Sequence, residues 1–479
     1  MKGINTPGQA LERGGVTSLL SRHSLGNGTM VMLLLLSLRW GMKRVLLVAL
    51  TISLLLGNLF AFAGFDDIFE PEATEEETTA LKFSVTGSLG ATVGEFFDGQ
   101  VFSEQLLSLH LFADSPTFTS DAALSFDAQA GKLDADTISV TSFFDWGFIK
   151  AGLLKEEWGS GDGLHVVDVL NAFDYSRGLS DDIFSMKRAS FMVTSTIYKD
   201  QSSLQLYLKP TFKAGLASMD KTGQDRWSLL PAAFTKTDIR EPKTDSIAYV
   251  QFGARGRTSI RGADVGLLYY KGHMAQMGYG NFVYDSSFSY IEKADIIYTP
   301  YQLIGTEATY VLGRFTLMAE LAYMLSKDTK GTDSTLYNSK WVYLGGIGYL
   351  ASTSGLYLSL IYNGHYTEQY DLVKSNVANP LVGFDVDHGQ AFDNKAYGNT
   401  LTFAMERPLF RERVHVRLGT TYQIETEGYA LLSSIRWQVS DDLKLECKAV
   451  IYGSLGSKAS LFRTWDDNDH LTIGITHNF

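Results

Sequence analysis

Apolar and polar residues alternate with a period of two along most of the chain after its first 80 residues. In the segment 412–425, Val414 and Val416 fall on one face, and His415 and Arg417 fall on the other. This alternation is typical of β-strands with one apolar and one polar face. Eighteen strands are predicted, near 81–93, 107–111, 122–128, on both sides of Asp145, and near 188–199, 203–213, 246–257, 262–273, 301–312, 315–327, 340–350, 355–366, 397–408, 412–425, 428–439, 443–453 and 470–479.

The connections between these strands alternate in length. Short connections follow the even-numbered strands, for example Gly313-Arg314, and most long connections follow the odd-numbered strands. Short periplasmic turns and long outer loops are expected of an outer-membrane barrel, whereas a soluble sandwich has no reason to keep this order. The fold class predicted is therefore all-β, an antiparallel transmembrane β-barrel of about 18 strands. A missed or divided hairpin would change the number to 16 or 20.

The amino-terminal region has the features of an exported protein. Residues 42–63 read as a signal peptide, with a basic start, an apolar run and a small-x-small cleavage site that ends at Ala63. We interpret 1–41 as a mis-assigned upstream segment and 64–80 as a disordered acidic lead-in. No run of about 18 apolar residues follows residue 63, so a membrane-spanning chain must use a closed barrel, over 81–479.

Net charge and cysteine content exclude some partners. The chain has 41 basic and 53 acidic residues. Six of the basic residues and one acidic residue precede residue 64, which leaves 35 and 52 and a net charge near −17. Nucleic acid is not an expected partner, because its binding needs concentrated positive charge. The one cysteine, Cys447, allows no intrachain disulfide.

The polar strand faces carry many cations, and these faces are predicted to line the lumen because charges at the lipid midplane cost about 2–4 kcal/mol. The alternative is that these charges only solvate the wall and pair with Glu425 and Glu446. The pore-lining basic residues predicted are Arg413, Arg417, Arg436, Lys444 and Lys448 near the end of the chain, and Arg255 and Arg257 in strand 246–257.

The connection 157–187 is expected to fold into the barrel mouth, because it holds an apolar stretch, 166–170, within acidic sequence. Its opening, Trp158-Gly159-Ser160-Gly161-Asp162, and Asp168-Val169-Leu170-Asn171 resemble a segment of porin-like channels of the alginate-export type. Ala172 stands where that family would have proline. Asp162, Asp168 and Asp174 are predicted to form the acidic side of a constriction, opposite Arg413, Arg417, Arg436 and Lys448.

The last segment, 471–479, is an alternating strand that ends on Phe479. It resembles the closing strand of bacterial outer-membrane β-barrel proteins. This resemblance implies location in the outer membrane of a diderm bacterium, contact with outer-membrane lipid, and recognition of Phe479 as an assembly signal by the barrel-assembly machinery.

These features favour a porin-like channel for passive uptake of small polar or anionic solutes. One alternative is a transporter of hydrophobic substrates such as long-chain fatty acids, although the amino-terminal Asn-Pro-Ala hatch of that class is not found here. The other alternative is a surface-exposed structural or adhesin barrel. No enzyme, cofactor or metal site is expected, because no catalytic or metal-binding signature occurs. The substrate, the oligomeric state and gating stay open.

Overall fold

In the computed structural model, the described residues are 81–230, 234–351, 354–371, 395–458 and 460–479. The predictions for the upstream segment, the signal peptide and the acidic lead-in lie outside these residues. The described strands are β1 (Lys82–Phe96), β2 (Val101–Asp114), β3 (Phe118–Asp127), β4 (Lys132–Phe144), β5 (Gly147–Leu154), β6 (Ser190–Lys199), β7 (Ser202–Lys209), β8 (Asp238–Arg240), β9 (Gln251–Ile260), β10 (Ala263–His273), β11 (Gly278–Tyr284), β12 (Ile291–Ile297), β13 (Pro300–Leu312), β14 (Phe315–Ser326), β15 (Lys340–Ala351), β16 (Leu356–Thr367), β17 (Tyr397–Leu409), β18 (Val414–Gln423), β19 (Gly428–Gln438), β20 (Leu443–Ser454) and β21 (His470–Asn478).

Several short helical turns lie among the described residues. A four-residue helix, α1 (Leu461–Thr464), precedes a 3₁₀ turn at Asp466–Asn468, and further 3₁₀ turns lie at Phe184–Met186 and Ile247–Tyr249. None of the helices in this part of the chain is long and apolar enough to cross a membrane.

Eighteen of the strands form one closed antiparallel sheet. Each strand pairs with the next barrel strand in the sequence, and β1 pairs with β21 to close the circle, with Ser88 opposite Asn478 and Phe96 opposite His470. The backbones of Gly87 and Phe479 exchange two hydrogen bonds of 2.9 Å at the end of this seam. A side chain at Gly87 would collide with the Phe479 ring, because its Cβ would lie 2.6 Å from a ring carbon, so a glycine fits there. The predicted transmembrane barrel of about 18 strands is confirmed.

The outer face of the barrel is apolar. In β1 the side chains of Phe83, Val85, Leu89 and Val93 are exposed, and their neighbours in the sequence point into the barrel. Because a sheet closed on itself satisfies its own backbone groups, this apolar surface is suited to lipid. The prediction of an outer-membrane location is confirmed with the fold.

The connections follow the predicted asymmetry, with three exceptions. Turns of two to four residues follow every second barrel strand, and the long connections lie at the other end of the barrel. Three connections at that end also have only four residues: 97–100, 128–131 and 424–427. The wall formed by β1–β4 therefore has no long loop of its own, and loops from elsewhere cover it.

Two of the long connections share a second, small sheet that the alternation did not indicate. In it, β12 pairs antiparallel with β11 and parallel with β8. Its apolar core includes Phe234, Tyr279, Ile291 and Ile296. The two connections thereby pack into one body above β7, β9, β10 and β13.

The two faces of β1 should respond differently to the same charge. We expect Leu89→Arg to lower the free energy of unfolding by about 2–4 kcal/mol, because the outward-facing guanidinium would meet lipid. Ser88→Arg is the matched control, because Ser88 faces the lumen and lines a cavity there. Urea titration of the protein folded in lipid vesicles measures both. Equal losses in the two variants would contradict the assignment of the faces.

Candidate functional site: the lumen and its inward loop

The connection from β5 to β6, residues 155–189, lies inside the barrel and is called the inward loop here. Its side chains Trp158, Val167 and Leu170 are fully buried. They belong to one apolar cluster with lumen-facing side chains of β6, β7, β10, β13, β14 and β15, namely Met192, Tyr207, Leu268, Tyr270, Leu303, Ala322 and Val342. The ring of Trp158 meets those of Tyr207 and Tyr270 edge to face. This side of the lumen is therefore filled with packed protein.

One buried carboxylate, Glu320 in the middle of β14, holds the turn of the inward loop. Its side chain is 0% exposed. It accepts hydrogen bonds from loop backbone N–H groups over 2.7–3.3 Å, those of Ser160, Gly161, Val166 and Val167, and it lies 2.9 Å from Nδ1 of His165. A buried carboxylate needs such donors, because its desolvation is costly without them.

Beyond the contacts of Glu320, which anchor the loop to β14, further ion pairs connect charged residues within the loop. Nε2 of His165 lies 3.2 Å from Oε1 of Glu157, at an angle that makes the contact an ion pair rather than an aligned hydrogen bond. The ammonium of Lys187 contacts Glu157 at 2.8 Å and Asp168 at 2.5 Å. Lys187 is 1% exposed, so both ends of the loop meet at a buried cation.

These contacts shift the pKa values of the loop residues. Burial by itself lowers the pKa of His165, but the carboxylates of Glu157 and Glu320 outweigh burial and raise this pKa to about 9. Contacts with His165 and Lys187 lower the pKa of Glu157 to about 2. Burial raises the pKa of Asp168 in spite of Lys187. At neutral pH His165 is therefore a cation beside two anions.

The two arginines predicted on strand β9 have different surroundings. Arg255 is buried, donates to Oε1 of Glu307 at 2.6 and 2.9 Å, and reaches the carbonyl of Gly159 at 3.2 Å. Arg255 therefore holds the inward loop and does not line open water. The side chain of Arg257 is 42% exposed and lies 3.4 Å from the same Glu307 oxygen.

The predicted basic wall near the chain end is largely neutralised. Arg436 contacts Asp181 at 2.9 Å and Glu446 at 2.5 Å, and Lys448 contacts the same two acids at 3.1 and 3.2 Å. Asp181 belongs to the inward loop. This four-residue cluster therefore ties the loop to β19 and β20.

The other three predicted cations are placed separately. Arg417 faces the lumen and pairs with Glu406 on β17 at 3.1 Å. Lys444 is on the lumen-facing side of β20, in register with Gln438 and Thr476. Arg413, predicted on the wall, is exposed in the turn before β18, because that strand begins only at Val414.

The three acids predicted to oppose the basic wall take other partners. Asp162 lies beside Tyr357 of β16, Asp168 pairs with Lys187, and Asp174 accepts the backbone N–H and hydroxyl of Ser176. The prediction that these three acids face the arginines is therefore wrong. Asp181 contacts the wall instead, because Asp162, Asp168 and Asp174 are held where the loop turns.

Sequence reasoning missed the wall carboxylates that hold the loop, Glu307 and Glu320. Each is the single acid of its strand and lies on the lumen-facing side, opposite the other in the pairing of β13 with β14. That position was the available signal, because an acid inside a packed barrel needs a partner. Asp181 was visible in the sequence only as one of several loop acids.

The other side of the lumen is open. A cavity of about 890 Å³ lies between the segment 176–181 of the inward loop and the walls formed by β1–β3 and β19–β21. Its charged lining consists of Glu104, Asp127, Asp174, Asp181, Asp225, Glu446, Arg177, Arg226 and Lys448. Aromatic side chains, Phe96, Phe102 and Trp227, line it as well. The inward loop thus confines the open space to one side of the barrel.

Glu320→Gln should loosen the inward loop. The amide would place its own N–H₂ among backbone N–H donors, and breaking a buried charged contact costs about 3–5 kcal/mol. We expect faster proteolysis within 155–189 while the barrel stays folded, measured by limited digestion in vesicles. The control is Glu406→Gln, which removes a half-exposed partner of Arg417, where about 0–1 kcal/mol is expected. Unchanged digestion of the Glu320 variant would contradict its role as the anchor.

The pH dependence of the same digestion follows from two pKa values. The pKa of His165 is raised to about 9, so its contribution is complete below its ordinary value of 6.5 and is lost as the pH rises through 9. The pKa of Glu157 is lowered to about 2, so its contribution is complete above 4.5 and is lost as the pH falls through 2.

Digestion of the loop should therefore be slowest between pH 4.5 and 6.5 and should accelerate around pH 9. In His165→Gln the alkaline acceleration should disappear, because the titrating group is gone. If digestion of that variant still accelerates around pH 9 as much as in the wild type, another group causes the effect.

Comparison with known proteins gives structural similarity only. No family model matches the sequence, and no curated protein matches it. OccK5 (OpdH) of Pseudomonas aeruginosa has 10% identity and a TM-score of 0.48, over 83% of this chain and 98% of that chain. OccK2 (OpdF) of the same organism, in complex with glucuronate, has 11% identity and a TM-score of 0.46, over 83% and 98%. A loop L8 deletion mutant of OmpT, an outer membrane protein of Vibrio cholerae, has 9% identity and a TM-score of 0.39, over 84% and 100%. This chain is similar to these proteins in its β-barrel fold.

Proposed function

We propose that this protein is a porin-like channel through which small polar solutes cross the outer membrane passively. The observation that carries the proposal is the division of the lumen. The inward loop fills one side with apolar packing and leaves a charged cavity of about 890 Å³ on the other. A channel of 18 strands would be wide, and a loop that narrows it gives solutes defined walls to contact.

The walls of this cavity favour polar solutes. Carboxylates, ammonium and guanidinium groups line it, from the inward loop and the connection between β7 and β9 on one side and from β2, β3 and β20 on the other. Opposed charges offer hydrogen bonds in place of the water that a polar solute gives up. A fatty acid would need a continuous apolar path, and the apolar lumen-facing side chains of β6, β7, β10 and β13–β15 are already covered by the inward loop.

The charge balance favours cations over anions, unlike the preference for polar or anionic solutes expected from the sequence. That expectation required Arg436 and Lys448 to face open water, but Asp181 and Glu446 neutralise them. Six of the carboxylate residues of the chain line the cavity, against two arginines and one lysine. A net negative wall concentrates cations and repels anions.

A structural or adhesin barrel is the non-transport alternative, and a catalytic role is not part of the proposal. Assembly is proposed to follow the outer-membrane route, with the terminal strand as its signal. Phe479 supports this reading, because it directly follows β21, the strand that pairs with β1, and its side chain is 59% exposed. Steady conductance separates a channel from an adhesin.

Reversal potentials in planar bilayers test the charge preference. The wild type should show steady open channels that prefer K⁺ to Cl⁻ in a salt gradient. The double variant Asp181→Asn/Glu446→Gln leaves Arg436 and Lys448 without their acids. Its permeability ratio should shift toward Cl⁻ by about tenfold or less at low salt, because water and ions screen the wall.

Glu406→Gln is the matched control, since Glu406 is a wall carboxylate outside the cavity lining. Its reversal potential should stay near that of the wild type. Absence of any conductance in the bilayers would reject the channel and favour the adhesin. Open channels with an unchanged reversal potential in the double variant would reject this cavity as the path that selects ions.

A further inference from the structure

Two arginines from two different loops lie on the same wall of the cavity. Arg177 of the inward loop donates from Nη1 to Glu104 on β2 at 3.0 Å, and from Nη2 to Asp127 on β3 at 2.8 Å. Arg226, from the connection between β7 and β9, lies 4.2 Å from the centre of the Phe96 ring. It also pairs with Asp98. The wall formed by β1–β3 thus holds guanidinium groups by two separate means, a carboxylate pair and an aromatic face.

The contact of Arg177 is weak enough to exchange. Its side chain is 62% exposed and that of Glu104 is 46% exposed, whereas that of its second partner, Asp127, is 15% exposed. Ion pairs in such surroundings contribute little, because water competes and salt screens them. Arg177 can therefore leave the wall for water while the buried anchors, Glu320 and Lys187, still hold the loop.

The acceptors that Arg177 would leave behind are already arranged. Oδ1 of Asp127 accepts the backbone N–H groups of Gln129 at 3.0 Å and Ala130 at 2.9 Å, which leaves Oδ2 free to face the cavity. The side chain of Asp127 is only 15% exposed. Glu104 comes from the next strand on the same lumen-facing side. Two oxygens on two fixed strands match the planar fork of a guanidinium.

We propose that Glu104 and Asp127 form a binding subsite for solutes that carry a guanidinium group, and that Arg177 occupies this subsite until a solute displaces it. The inference rests on the proposed channel and names a substrate class for its cavity. Phe96 and Phe102 line the same cavity and offer an apolar surface to the rest of such a solute. Two carboxylates supply too few oxygens for Ca²⁺, which takes six to eight.

Titration calorimetry of the full-length protein in detergent micelles tests the subsite, with argininamide as the probe. Citrullinamide, in which a urea replaces the guanidinium, is the matched ligand. Arg177→Ala should bind argininamide about five- to tenfold more tightly than the wild type, because no internal guanidinium competes. Asp127→Asn should bind it about tenfold more weakly, because a charged acceptor is lost.

Lys132→Ala is the control variant, because Lys132 is a half-exposed cation paired with Asp134 outside the cavity lining. Its affinity should stay near that of the wild type, and citrullinamide should bind every variant weakly. If Asp127→Asn does not give a folded barrel, Glu104→Gln replaces it with the same expected loss. Equal affinity of wild type and Arg177→Ala, or equal binding of the two ligands, would overturn the proposal.

The two proposals fail separately. Argininamide binding with the expected variant effects but without currents in bilayers would support the subsite and reject the channel. Cation-selective currents without argininamide binding would support the channel and reject the subsite. If the channel and the subsite are both correct, argininamide should interrupt single-channel currents. Arg177→Ala should then lower the argininamide concentration that blocks half of the current by the same five- to tenfold.

Discussion

A strand in hydrocarbon has to find a partner for every backbone N–H and C=O group, and the pairing of β1 with β21 meets that requirement for the whole sheet. Because the sheet is closed, its outer surface can consist of apolar side chains alone. The polar side chains then have only the lumen and the two rims to occupy. The period of two in the sequence is the direct consequence of this constraint.

Closure creates a second difficulty, because 18 strands enclose more space than wall side chains can fill. A loop that enters this space brings backbone groups that have no partners in a sheet. Glu320 accepts four loop N–H groups, so the carboxylate satisfies the loop and the loop satisfies the carboxylate. Glu307 lies directly opposite Glu320 on the neighbouring strand, and two adjacent anions would repel each other. Their neutralisation by different groups, Arg255 for one and His165 for the other, explains why the loop is fixed at two points.

The strands and their faces could be predicted from the sequence, because alternation is a local property that a few residues reveal. The contacts of the loop could not, because Ser160 and Glu320 are separated by 160 positions and meet only through the path of the loop across the lumen. Five aspartates in the loop look alike in the sequence, and only the fold decides that Asp181 reaches Arg436. The error at Arg413 has a smaller cause, since alternation does not fix a strand end to within one or two residues. The sheet of β8, β11 and β12 was missed because its strands have three to seven residues and lie within loops.

The lumen is asymmetric because the loops are unevenly distributed. β1 and β3 are followed by connections of only four residues, so nothing from their own side covers them. Arg177 and Arg226 arrive there from distant loops, and the space between these loops and the wall is the charged cavity. The opposite wall lies under packed loop residues, which bury its carboxylates Glu307 and Glu320. In the proposed channel, ion and solute preference would therefore depend on a few contacts between loops and wall, and these can change without any change in the strands that close the barrel.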